Sequence, residues 1–565
     1  MTGDPDTASP AADLNRTAPR LRWYISLPLA ALGGFALDAA TPSLAWWPLA
    51  FAGVALVLAA VWRQRTGIGA LAGAVAGAAF WMPQISWLTL YLGPIPWLAL
   101  CAVMTAWFAL FGAAAAVATR GLDRYELPRW ATVALQSLTV AGLWVLREQL
   151  QSTWPYGGFA WGRLAHTQAE GPLAHLVSWI GFSGLSGVIA LAGAVPVAVY
   201  FARRPSSTMI APRAGFAPGF RAGGVAALGS ALAVVLLALV PPAGLEQTGT
   251  LRVAAVQGNS KSGIFDDREN GDVIRAHLEA TDALLDDLDA AGERVDVIVW
   301  PENSAEFALP DQVYRSLAVR EQSRRADAPI VLGSVLRDPD GSFTNSSLVF
   351  DASGDTGLRY DKRRPVPFAE YMPNREFFHA LVPDLVDLVQ LDYRAGTRSS
   401  VMTIEGAGGP FAAALAICFD IIFDDHAVAM MHDGEGASPG TAGVIFAQTN
   451  NADFGRTDES AQQLAIARLR AVETGRALVN ISTVGTSAVV LPDGSDAARL
   501  PTHTAGAMVA EVPLVSGLTP ALRFGGWIAA DWMLGGAIGL GAASFALLRR
   551  RSERATSRLR RRAAL

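Results

Sequence analysis

Eight apolar runs, near 23–40, 45–62, 67–84, 95–118, 130–147, 174–202, 224–241 and 527–548, restrict this chain to folds that place helices in a bilayer. A hydrocarbon core about 30 Å thick takes roughly 20 apolar residues per helix, and inside it a helix satisfies its own backbone hydrogen bonds. Hydrophobic residues make up 51% of the 565-residue sequence, too many for an ordinary soluble protein. The expectation is a multi-pass α-helical membrane protein of eight spans. A signal peptide is the alternative for the first run, and the other seven keep the chain polytopic in either case.

Charge between the runs sets the orientation, because cytoplasmic connections carry the arginine excess. Arg16, Arg20 and Arg22 precede the first run; Arg63 and Arg65, then Arg120, Arg124 and Arg129, then Arg203, Arg204, Arg213 and Arg221 follow the second, fourth and sixth. The tail "RRRSERATSRLRRR" adds eight arginines, whereas "DAATPS" and "PQISWLTLYLGPIP" have none. Both termini are therefore expected inside, with the segment between the seventh and eighth runs outside. The implied division is a cytoplasmic tail 1–22, a seven-span domain 23–247, an extracytoplasmic domain 248–516, a final span 527–548 and a basic cytoplasmic tail 549–565.

Residues 248–516 differ in kind. "LRVAAVQGN", "VDVIVWPEN", "APIVLGSV", "SSLVFD", "FAAALAICFD", "AGVIFAQTNN" and "ALVNISTVG" read as buried strands rich in Val, Ile and Ala. Helical periodicity lies between them, over 270–291 and 459–475. Alternating strands and helices imply a layered α/β domain with its reactive groups at the carboxyl ends of strands.

Three strand ends carry such groups: Glu302 after "VDVIVW", Lys362 in "LRYDKRRPVPF" and Cys418 in "FAAALAICFD". The other cysteine, Cys101, falls in the fourth apolar run, so Cys418 is expected as a free thiol. A thiol becomes a nucleophile when a base takes its proton, and attack on a carbonyl builds charge that a cation can hold. Of 45 basic residues only Lys261 and Lys362 are lysine. A compact ammonium does what a planar guanidinium cannot, which accounts for a lysine kept beside Arg363 and Arg364. Each residue alone reads equally as core, cap or solvated charge; their convergence favours function.

The ordered trio "WPE", "YDKRRPVPFAEYMP" and "ICFD" resembles the nitrilase superfamily and its Glu-Lys-Cys triad. Its position between the seventh and eighth apolar runs, with "WPYGGFAWGRLAHTQ", "TNNADFG" and "QQLAIARLRAVETGR", resembles the membrane-embedded branch, the apolipoprotein N-acyltransferases. The resemblance implies an αββα sandwich outside the membrane, with Glu302, Lys362 and Cys418 as catalytic residues and no cofactor. It implies transfer of an acyl chain from the sn-1 position of a phospholipid, through a thioester on Cys418, to the α-amine of a diacylated apolipoprotein. The protein would be a monomer in the bacterial cytoplasmic membrane. Asp453, Asp420 and Ala369 depart from the residues commoner in that branch.

Around the triad, Glu370 is expected to orient the lysine or the thiol, and Asn303, Asp420, Asn450 and Asn451 to support the site. Trp154, Tyr156, Phe159 and Trp161, with Trp81, Trp87, Tyr91 and Trp97 of the third connection, are expected at the interface or an acyl entrance. Residues 372–393 read as a lid presenting Phe377, Phe378, Leu381 and Val382 to lipid. The seven histidines are scattered, so no metal site is expected, and the basic tail fits topology and anionic lipid in place of nucleic acid. Two other readings stay open: a membrane-tethered amidase or nitrilase acting on a small substrate, and a non-catalytic membrane scaffold.

Overall fold

The computed structural model describes residues 20–563, apart from 43, 203–216, 264–266, 268 and 433–439. Arg16, Arg203, Arg204 and Arg213, used above for topology, lie outside the described residues. All eight apolar runs fall on helices: Trp23–Ala39, Pro48–Val61, Thr66–Gln84, Pro94–Leu122, Arg129–Gln151, Val177–Ala202, Ala217–Ala238 and Pro520–Ala563. Five of them are long and apolar enough to cross a bilayer. Trp23–Ala39 and Pro48–Val61 are apolar but shorter, and Arg129–Gln151 carries Gln136, Arg147, Glu148 and Gln151 buried against its neighbours. Among the described residues, five of the eight expected spans thus meet that length and composition.

Helices without a hydrophobic drive to associate in lipid rely on close backbone approach through small residues. Thr66–Gln84 and Pro94–Leu122 do this at Gly73 and Gly112: a Cβ on Gly73 would lie 2.2 Å from the Phe108 carbonyl oxygen, and one on Gly112 would lie 2.3 Å from that of Gly69.

The polar segment forms two six-stranded sheets. The first runs Gly506–Ser516, Glu246–Gln257, Val297–Val299, Ile330–Arg337, Phe343–Asp351, Gly354–Asp361 in spatial order. The second runs Asp496–Leu500, Ser487–Val490, Ala477–Ser482, Val444–Thr449, Gly409–Ile417, Val401–Gly406. Each has three parallel strands at its centre, with Val253 opposite Val297 and Ile298 opposite Ile330 in one, Ala413 opposite Val444 and Val444 opposite Ala477 in the other. The outer strands are antiparallel. Parallel strands buried on both faces need unbroken Val, Ile and Ala, the pattern read in the sequence. The outer strands Val401–Gly406, Ser487–Val490, Asp496–Leu500 and Gly506–Ser516 are additions to that reading.

The sheets face one another across Val253, Val299, Val331, Leu415, Val444, Phe446 and Val479. Helices Asp272–Ala291 and Val313–Ala326 cover the outside of the first sheet. On the second, Asp424–His432 and Glu459–Thr474 complete the αββα order. Their apolar cluster is continuous with that of the membrane helices. Glu459–Thr474 packs on strand Ala477–Ser482 and also touches the membrane helices Val177–Ala202 and Pro520–Ala563, so almost every residue in it is buried.

Candidate active site

Two strands of the parallel centres and one antiparallel edge strand aim their carboxyl ends at one region. Strand Val297–Val299 leads through Trp300 and Pro301 to Glu302, Gly354–Asp361 to Lys362, and Gly409–Ile417 to Cys418. Glu302 can sit there because Ile330–Arg337 has a glycine under it: a Cβ on Gly333 would lie 2.5 Å from the Asn303 nitrogen and 2.8 Å from the Glu302 Cα.

Lys362 Nζ donates at 3.0 Å to Glu302 Oε1 and lies 2.9 Å from Glu370 Oε2. Asn345 Nδ2 bridges the same carboxylates, at 2.7 Å to Glu302 and 3.0 Å to Glu370 Oε1. The Val366 N–H holds the other oxygen of Glu370 at 2.7 Å. Two buried carboxylates thus share one ammonium. Burial alone would lower the Lys362 pKa, but Glu302 and Glu370 outweigh it and hold the amine well above its usual value, so it stays a cation. Burial pushes the Glu302 carboxyl up; Lys362 pulls it down and Glu370 adds to the rise.

Cys418 opens the 3₁₀ turn Cys418–Ile422 with φ of 50°, a left-handed backbone that few residues with a Cβ adopt and that marks a strained, functional position. Burial raises its thiol well above the usual range and Glu302 raises it further, while Lys362 opposes both. The resting sulfur is therefore protonated and within electrostatic reach of a buried carboxylate and a fixed cation. Such a group can attack a carbonyl once the carboxylate takes its proton.

Asp420 ties these parts together. Its carboxylate accepts from the Ile417 N–H at 3.1 Å, from Tyr360 Oη at 2.7 Å and from the Arg364 N–H at 2.8 Å, which joins the Lys362 segment to the Cys418 turn. Asn451 donates at 2.8 Å to both Glu459 and Gln463, and Gln463 Nε2 lies 3.6 Å from Cys418 Sγ. Asn450 binds Ser262 and Thr483, one layer away from the triad. Asn303 adopts φ of 55°, and its Oδ1 is buried without a hydrogen-bond partner among the described residues.

The aromatic residues divide. Trp154 and Phe377 are exposed, at 64% and 61%. Tyr156 packs on Phe368 and Phe378 and accepts from Asn374 Nδ2 at 3.2 Å, joining the Trp154–Tyr156 loop to the segment read as a lid. Phe378 and Val382 turn inward onto Met372, Val386 and Val389, leaving Phe377 and Leu381 as the outward pair. Phe159 and Trp161, expected at lipid, are instead buried: Phe159 stacks on Phe419 and Trp161 Nε1 donates at 2.8 Å to Gln462. Trp81, Trp87 and Tyr91 are also buried, and Trp87 shares the Gln462 acceptor at 3.2 Å. Trp87 and Trp161 sit between the two halves of the molecule, where each indole N–H finds an acceptor that lipid tails lack.

Asn345, Tyr360, Gln463 and Glu459 were missed by the sequence reading. The signal for Asn345 was the run Thr344–Ser347, polar residues inside a strand that proves buried throughout; Gln463 lay in the quoted "QQLAIARLRAVETGR".

Comparison with known proteins bears on this geometry. Residues 33–195 match the apolipoprotein N-acyltransferase N-terminal domain and residues 252–517 match the carbon-nitrogen hydrolase family. The apolipoprotein N-acyltransferase of Mycolicibacterium smegmatis is 33% identical over 89% of this chain and 82% of its own length. That of Ralstonia nicotianae is 30% identical over 92% and 94%. Membrane helices, a carbon-nitrogen hydrolase sandwich and near full-length similarity coincide in one chain, an acyltransferase that belongs to the apolipoprotein N-acyltransferase family.

Proposed function

We propose that this enzyme moves an acyl chain from the sn-1 ester of a membrane phospholipid to the α-amine of the N-terminal diacylglyceryl-cysteine of apolipoproteins, through a thioester on Cys418. The observation that carries the reading is the shared cation: Lys362 held by Glu302 and Glu370 beside a strained thiol, in a sandwich packed directly on membrane helices. Glu302 takes the thiol proton as Cys418 attacks the ester carbonyl. Lys362 and backbone N–H groups hold the oxyanion. The C–O bond then breaks, Glu302 returns the proton to the departing glycerol oxygen, and a lysophospholipid leaves. The acceptor amine attacks the thioester, the C–N bond forms, and the thiolate departs to recover a proton by way of Glu302.

Withdrawing an acyl chain into water costs about 0.8 kcal/mol per CH₂, so a site at the membrane surface suits two lipid substrates that visit in turn. The outward pair Phe377 and Leu381 fits a lid reaching into lipid. The arginine distribution supports a bacterial cytoplasmic membrane location with both termini inside and residues 248–516 outside.

The test is an acyl-enzyme trap. Purified enzyme and Cys418→Ala are incubated with phospholipid labelled in the sn-1 chain and weighed by mass spectrometry before and after neutral hydroxylamine. A labile acyl mass on the unsubstituted enzyme alone is the expected result. Lipid uptake with no adduct on either form would sink the mechanism.

A further inference from the structure

Glu459 opens the helix Glu459–Thr474, is only 4% exposed, and has no part in the triad. Among the described residues its carboxyl is bonded by Asn451 Nδ2 at 2.8 Å, and no lysine or arginine pairs with it. Buried carboxylates are ordinarily paired with a cation, so the missing partner is the feature to explain. Asn451 Nδ2 also donates at 2.8 Å to Gln463 Oε1, and Gln463 Nε2 lies 3.6 Å from Cys418 Sγ. Two amide side chains therefore separate this carboxyl from the sulfur, and its charge bears on the Cys418 thiol.

The second half-reaction needs such a group. An α-amine has a pKa of about 8 and arrives at neutral pH mostly as an ammonium, which cannot attack until it loses a proton. Glu302 already carries the proton exchanged with the thiol, and Glu370 is held by Lys362 and the Val366 N–H. On the acyl-transfer reading above, we propose that Glu459 binds the ammonium of the acceptor and takes its proton, freeing the amine to attack the thioester on Cys418. Proton balance is simple. Burial and the Glu302 charge push the Glu459 carboxyl up to about 8, so it is largely neutral while the site is empty. It ionises to solvent as the cation enters, helped by its place in the first helical turn. Proton transfer from the ammonium restores the neutral acid. The C–N bond forms, the C–S bond breaks, and the second amine proton returns to the thiolate through Glu302.

The experiment separates the half-reactions in the full-length enzyme. Unsubstituted enzyme, Glu459→Gln and Glu459→Asp are acylated with labelled phospholipid, and the thioester is discharged either with a diacylated lipopeptide or with hydroxylamine, an amine that is unprotonated at neutral pH. Glu459→Gln, which can still accept the Asn451 hydrogen bond, is expected to form the acyl-enzyme, and the lipopeptide transfer of each variant is read against its own discharge to hydroxylamine. Its transfer to the lipopeptide should slow about a hundredfold, with Glu459→Asp in between. Equal slowing with both amines, or loss of acylation itself in both variants, would make Glu459 structural and overturn the inference. Unchanged transfer to the lipopeptide would also overturn it. Failure of the unsubstituted enzyme to acylate would instead remove the acyl-transfer reading, and this inference with it.

Discussion

Arg163 Nη1 donates at 2.8 Å to both carboxylate oxygens of Asp424 and so binds the loop after helix Arg129–Gln151 to the helix that follows the Cys418 turn. Arg470 Nη2 meets the same carboxylate at 2.8 Å and, with its Nε, holds the Ile421 and Ile422 carbonyls at 3.0 Å. Burial would raise the Asp424 pKa, but the two arginines prevail and hold it well below the carboxylate range. One guanidinium from each half of the molecule thus closes on one anion.

Arg163→Met should therefore cost about 3 kcal/mol, the lower part of the range for breaking a buried pair, since Asp424 keeps Arg470 and some exposure. Thermal unfolding in detergent measures this. Asp424→Asn should cost less in the Arg163→Met background than alone, because the two residues share one interaction; additive losses would show that they act independently.

Lys362→Arg should lower the rate of acyl-enzyme formation at least about a hundredfold, the loss seen when one oxyanion donor is removed. Charge is conserved, but a planar fork cannot occupy the point between Glu302 Oε1 and Glu370 Oε2 that Nζ fills. Burst mass spectrometry of the acyl adduct reads the rate directly, and a rate near that of the unsubstituted enzyme would remove the argument from lysine geometry.

Asn345→Leu should move the acid limb of the pH–rate profile to higher pH. The Asn345 amide lowers the Glu302 pKa by donating to its ionised form, so its loss raises that pKa and the base ionises only at higher pH. A limb that stays in place, or moves to lower pH, would show that another group sets it.

Gly333→Ala should destabilise the sandwich by about 1–3 kcal/mol, as overpacking does, and reduce acylation together with stability. The added carbon would strike the Asn303 nitrogen and displace Glu302. Alanine at Gly249, where a Cβ would come no closer than 3.8 Å to Leu514, tests the same substitution in the same sheet away from the site and should leave acylation in place.

The convergence of Glu302 and Lys362 near Cys418, the candidate triad, was legible because each member ends a strand that announces itself by composition, and because Lys362 is an exception in an arginine-rich chain. The layered α/β domain followed from the same strands. Asn345 and Tyr360 escaped notice because they act across strands: Asn345 is a polar residue mid-strand, and Tyr360 reaches an aspartate 60 positions away. The burial of Phe159 and Trp161 was hidden for a related reason. An aromatic ring looks the same in sequence whether it meets lipid or protein, and the acceptor that decides for Trp161 is Gln462, 301 positions away. Arg129–Gln151 read as a span by its apolar residues, although Arg147 pairs with Glu148 and Gln151 inside the helix and Glu148 lies 3.8 Å from Arg163 of the following loop.

The helix Glu459–Thr474 has a sheet on one side and membrane helices on another. It therefore acts as a spacer one helix thick, about 10 Å, which fixes the height of the second sheet above the membrane helices. An isolated fragment of residues 248–516 would turn the apolar flank of this spacer to water and aggregate. The membrane helices and the sandwich share one apolar cluster, and the distance between hydrocarbon and the Cys418 sulfur is set by the thickness of this helix.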